Sequence, residues 1–78
     1  MLENRISIDP AVMVGKPVIQ GTRITVELIL EKLAHGQTVP DLIKSHPRLT
    51  EEDVRAAIAY AARTISQEEI YPNTKKAA

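Results

Sequence analysis

GKPVIQGTRITV, residues 15–26, is the stretch on which the reading of this 78-residue chain turns. Two apolar clusters, Val18-Ile19 and Ile24 with Val26, are held apart by Gln20-Gly21-Thr22-Arg23. Gly21 takes positive φ without steric cost and so suits a tight corner. Pro17 has a fixed φ and no amide donor, which suits the first position of a strand or a strand at a sheet edge. Thr22 and Thr25 can each cap a helix, and amphipathic sequence follows at once. Short extended pieces therefore precede this junction and helices follow it.

Working outward toward the N-terminus, Met1 to Asn4 carries no strong signal and is expected to fray. Arg5-Ile6-Ser7-Ile8 alternates polar and apolar residues, the period of a half-buried strand. Asp9-Pro10 ends it, because the residue before proline is pushed out of the helical region. Ala11 to Val14 is apolar but short, Gly15-Lys16 reads as a turn, and Pro17-Val18-Ile19 is a second strand candidate. The expectation is a β arm over about residues 5–19, in which the two strands can pair as a loose hairpin. Such a hairpin is rarely stable alone, and its exposed edge is a natural place for a second chain to add.

Toward the C-terminus, a first helix is expected over about 25–35. Val26, Ile29, Leu30 and Leu33 follow helical spacing, with Leu28 at the flank and Gly36 as a left-handed stop. A second helix, 38–46, begins with Thr38-Val39-Pro40-Asp41, a capping-box pattern with proline in the first turn, and ends at Pro47. A third, 50–66, has its own box in Thr50 and Asp53, with Leu49 and Val54 placed as a hydrophobic staple. Val54, Ala57, Ile58, Ala61 and Ile65 give it an apolar stripe at helical spacing. The fold class is mainly α, a short N-terminal β arm followed by three helices. One domain is expected over 1–70, with a flexible tail over 71–78.

A chain this small buries only about 60% of its unfolded surface, so its core is marginal without a second chain or partner. Without cysteine there is no disulfide or thiolate metal site. Without Phe or Trp, and with Tyr60 and Tyr71 the only aromatic residues, the core is aliphatic. Ten basic residues balance ten acidic ones, which argues against strong non-specific attraction to nucleic acid. The N-terminus lacks a signal pattern and no apolar run approaches a membrane span, so a cytoplasmic protein is expected. Catalysis finds no support. His35 and His46 fall at helix ends, where dipole or capping roles suit them, and no paired-His spacing suggests a metal. GKPVIQGTR lacks the residue order of a phosphate loop. Neither a cofactor nor a small-molecule substrate is expected.

The run from Ile8 to Ala62 closely resembles the family catalogued as domain of unknown function 433. GKPVIQGTRITV, LAHGQT and HPRLTEEDVRAAI carry the likeness, in order and at matching spacing. The resemblance implies a homeodomain-like helix-turn-helix bundle behind the β arm. It also implies a VapB-like antitoxin, a class often encoded beside a PIN-like nuclease toxin. As an antitoxin the chain would inhibit the nuclease and, as a homodimer joined through the N-terminal arm, bind its own operator DNA.

A helix-turn-helix would make Thr50 to Ile65 the recognition helix. Its first turn is Glu51-Glu52-Asp53, which helps the helix but repels phosphate. Arg55 lies off the apolar stripe, while Lys44 and Arg48 flank the turn and could touch phosphate. The arm offers Arg5, Lys16 and Arg23 against Glu3 and Asp9, and a β ribbon can enter a groove. Toward a nuclease, whose mouth gathers carboxylates, Arg23 is the candidate plug, with Thr22 and Lys16 beside it. The alternative is that Arg23 pairs with Glu27 at i, i+4 spacing or with Asp9. A protein-interaction module without DNA binding, or a DNA- or RNA-binding regulator without a toxin, are the other readings.

Overall fold

The computed structural model describes residues 2–68. The expected tail over 71–78 lies outside the described residues. A short 3₁₀ turn, Leu2–Arg5, leads into strand β1, Ile6–Ser7. A second 3₁₀ turn, Met13–Gly15, precedes strand β2, Val18–Ile19. Helices α1 (Val26–Ala34), α2 (Val39–Ser45) and α3 (Glu51–Glu68) follow. The fold is mainly helical, with three helices behind a two-stranded antiparallel hairpin. No helix among the described residues is long and apolar enough to cross a membrane.

Local chemistry explains where each helix begins and where α1 ends. Thr25 Oγ1 accepts from the Leu28 amide at 3.0 Å and opens α1. The helix closes in a Schellman arrangement, with Gly36 at φ +96°, its amide donating to Leu33 and the Gln37 amide to Lys32. Reciprocal bonds between Thr38 and Asp41 start α2, at 2.9 and 3.2 Å. The Thr38 amide, and after it the Thr38 hydroxyl, holds the Asp41 carboxyl below its ordinary value of 3.8. Thr50 and Asp53 form the matching box at α3, at 3.0 and 3.1 Å.

The core sits where β2, α1, α2, the α2–α3 connection and the first half of α3 meet. Ile19, Val26, Ile29, Leu42, Leu49, Val54 and Ala57 are buried together. Each larger aliphatic among them contributes roughly 1.5–3 kcal/mol. The expected stripe on α3 requires correction. Val54 and Ala57 are core, but Ile58 and Ile65 are exposed and Ala56 is buried instead. The cause is the N-terminal 3₁₀ turn, which packs along α3. Ala56 lies three residues from Asp53, on the side of the helix facing that turn.

The hairpin also differs from expectation at its edge. Ile6 pairs with Ile19 and Ser7 with Val18. On its other side β2 is bridged by the chain that follows it, Val18 opposite Thr25. The Ile19 amide donates to Ile24 at 2.9 Å and the Val26 amide to Pro17 at 3.0 Å. Thus β2 is internal, and the free edge is limited to the two residues of β1.

A departure invisible in the sequence lies between the strands. Met13, Val14 and Gly15 all have positive φ, at +50°, +59° and +83°. Gly15 donates to Val12 and Lys16 to Met13, which closes one left-handed turn. Gly15 suits it, whereas Val14 is β-branched, a residue type rarely found there. The simple Gly15-Lys16 turn expected from sequence is therefore longer and strained.

Candidate functional site

Each bond around Gly21 fixes the corner between β2 and α1. The Ile19 carbonyl accepts from the Thr22 amide at 3.0 Å and from its hydroxyl at 2.8 Å. That hydroxyl accepts from the Ile24 amide at 3.0 Å. Thr22 thus spends its hydroxyl proton and one of its two lone pairs on the turn. Gly21 sits at φ +81°, and a Cβ there would meet nothing within 4 Å. Backbone conformation, not space, calls for glycine at this point.

Two long-range contacts clamp the corner. Arg48, in the α2–α3 connection, donates through Nη2 to the Gly21 carbonyl at 3.0 Å. The Gln20 amide donates to the Arg5 carbonyl at 2.7 Å. The Arg5 guanidinium in turn donates to Asp53 Oδ1 at 3.1 Å. The β arm, the corner and the first turn of α3 are therefore one mechanical unit.

Candidate cations in this region have partners within the fold, with Arg23 as an exception. Lys16 pairs with Glu27 at 3.1 Å and Arg55 with Glu51 at 3.1 Å. Both pairs are exposed and contribute a few tenths of a kcal/mol. Arg5 is a strut between the arm and α3 rather than a side chain held out to phosphate. Arg48 braces the turn, though its guanidinium stays exposed. The suggested pairing of Arg23 with Glu27 or Asp9 is not formed. Lys16 holds Glu27, and Asp9 accepts from the Ala11 amide at 2.9 Å. Arg23 is exposed and makes no hydrogen bond or ion pair with the described residues. Lys44 lies exposed in the last turn of α2, away from this group in sequence.

The structure thus brings Arg48 to the corner that presents Arg23. Nothing local in the sequence announces this, because the contact spans 27 residues. The α3 face expected to read DNA opens with exposed Glu51 and Glu52. His35 Nδ1 donates to the Glu31 carbonyl at 2.8 Å, a helix-end role. No cluster of metal-ligating side chains occurs among the described residues.

A three-helix domain fastened by an N-terminal β arm, with an exposed arginine on a rigid glycine corner, is the class these features define. Residues 6–61 match the family described as "Protein of unknown function (DUF433)", and the chain belongs to that family. It is similar to a DUF433 member protein from Anabaena variabilis ATCC 29413, known from a crystal structure, with 36% identity and a TM-score of 0.77. The match covers 86% of this chain and 66% of that one, so this chain spans just under two thirds of its relative. A comparison with curated proteins finds no match.

Proposed function

We propose that this chain is a non-enzymatic, cytoplasmic antitoxin that binds and inhibits a PIN-like nuclease, with Arg23 entering the acidic mouth of the enzyme. The observation carrying this reading is the state of Arg23, exposed and without a partner among the described residues on a corner fixed by its own backbone bonds. A pre-set corner lowers the ordering cost of binding, and a guanidinium engages carboxylates in bidentate fashion. GKPVIQGTRITV carries the resemblance to the domain of unknown function 433 family, and the VapB-like antitoxin role which that resemblance implies supports the choice of partner.

Operator binding by a homodimer joined through the arm belongs to the same reading, but it is the weaker part. Arg5, Lys16, Arg48 and Arg55 are each engaged within the chain, and α3 begins with carboxylates. These features favour a protein partner over nucleic acid. The test is titration calorimetry of a PIN-like nuclease, sought among the genes adjoining this one, against wild type and Arg23→Ala. The variant is expected to keep its fold and lose about 2 kcal/mol of binding, roughly 30-fold, if the pair is desolvated. Equal affinities would remove Arg23 from the interface.

A further inference from the structure

Of the cations that the fold engages, Arg48 differs in kind. Arg5, Lys16 and Arg55 each meet a carboxylate, at 3.1 Å in every case, so their charges are offset within the chain. Arg48 instead meets the Gly21 carbonyl, a neutral acceptor, through Nη2. No carboxylate among the described residues compensates its charge, and its other N–H groups stay open to a partner.

The backbone that carries Arg48 is as firmly set as the corner it touches. The Leu49 amide donates to the His46 carbonyl at 2.8 Å, closing a turn with Pro47 and Arg48 at its centre. Pro47 fixes φ in that turn, and Leu49, 2% exposed, anchors its end in the core. In the corner itself the Ile19 amide donates to Ile24 at 2.9 Å, which closes Gln20 to Arg23 into a hairpin loop. Two tight turns thus meet at the Gly21 carbonyl, each carrying one exposed arginine. Like charges gathered at one corner repel each other, and an anion bound there answers both.

We propose that Arg23 and Arg48 together form a clamp for a pair of carboxylates on a protein partner, with Arg48 a second contact residue as well as a brace. This rests on the reading of Arg23 as the side chain that meets the nuclease. Each guanidinium, planar and forked, can take a carboxylate in bidentate fashion. A compact acidic site suits the clamp better than nucleic acid does. Exposed Glu51 and Glu52 follow Arg48 in the chain, and carboxylates beside the cations repel an extended line of phosphates.

Two experiments on the full-length chain test the clamp. In the first, calorimetry with a PIN-like nuclease compares wild type, Arg23→Ala, Arg48→Gln and the double variant. Glutamine removes the charge and keeps an N–H donor. Arg48→Gln is expected to weaken binding at least tenfold and to make the affinity less sensitive to sodium chloride, with the amide NMR signals of residues 19–24 in place. The double variant is expected to lose at least fivefold less than the product of the single losses, since a clamp acts as a unit. Unchanged affinity for Arg48→Gln, or a loss that comes only with displaced corner signals, overturns the clamp and leaves Arg23 to act alone. The second experiment omits the nuclease and follows the Nε–H signals of both arginines as hexaglutamate peptide is added at low salt. The two signals are expected to move together with one midpoint. Signals that stay in place, or tighter binding of a short DNA duplex at the same salt, overturn the clamp. A nuclease that fails to bind wild type refutes the antitoxin reading, and the peptide titration still decides the clamp.

Discussion

Replacing Asp53 by alanine tests whether the arm and α3 form one unit. Asp53 is 6% exposed, and its two oxygens have separate duties. Oδ2 accepts from the Thr50 amide at 3.0 Å and Oδ1 from Arg5 at 3.1 Å. Losing the box costs about 1 kcal/mol. A buried charge-assisted bond contributes roughly 1.5–3 kcal/mol. The Arg5 side chain is 43% exposed, which discounts its bond to about 1 kcal/mol. Water can also resolvate the abandoned guanidinium, so no unpaired buried charge remains. Asp53→Ala is thus expected to cost about 2 kcal/mol, a fall in Tm on the order of 10 °C for a domain this size. Urea unfolding followed by circular dichroism measures it, with Thr50→Ala as the control that removes only the hydroxyl half of the box, at about 1 kcal/mol. A cycle pairing Arg5→Ala with Asp53→Asn isolates the ion pair. If Asp53→Ala costs no more than Thr50→Ala, and the cycle shows no coupling, the strut is only geometry.

Gly21→Ala meets no steric neighbour, so its cost is conformational. The left-handed penalty of about 1–2 kcal/mol, less a gain of about 0.4–1 from a stiffer unfolded chain, gives a net loss near 1 kcal/mol. An unchanged melting temperature would show that the corner tolerates a side chain. Asp41 is held below 3.8 in the folded chain, so its stabilising effect is present above the unfolded value. That effect falls away as pH drops from about 4 through the depressed folded value, where the carboxylate of the α2 box gains a proton. Carboxyl NMR titration checks this, and an ordinary or raised midpoint for Asp41 contradicts it.

What could be read in advance was local. Thr38 with Asp41 and Thr50 with Asp53 are boxes closed over three residues, and the pattern is complete in the sequence itself. The stop at Gly36 and the turn at Gly21 rest on the freedom of one residue, and so they too are legible. The contacts of Arg5 with Asp53 and Arg48 with Gly21 span 48 and 27 residues, beyond the reach of any short pattern. The same limit misplaced Ile58 and Ile65. Helical spacing identifies a stripe but not which side another segment will cover, and here the arm covers the side of Ala56. The left-handed turn at Met13–Gly15 runs against the preference of Val14, and no propensity argument would choose it.

The clasp between Arg5 and Asp53 bears on the order in which the chain assembles. Closing a 48-residue loop costs about 3 kcal/mol in chain entropy, against about 1 for a box of three residues. The helical caps and the β2–Thr25 bridge can form early and cheaply, whereas the arm's only early hold is its two-residue pairing with β2, and its grip on α3 waits for that helix. We therefore expect β1 to dock late, and its amides to gain protection from hydrogen exchange after those of α1. Once docked, the arm ties the start of the chain to the start of its last helix. A pull on the N-terminus is then delivered across the clasp to the first turn of α3.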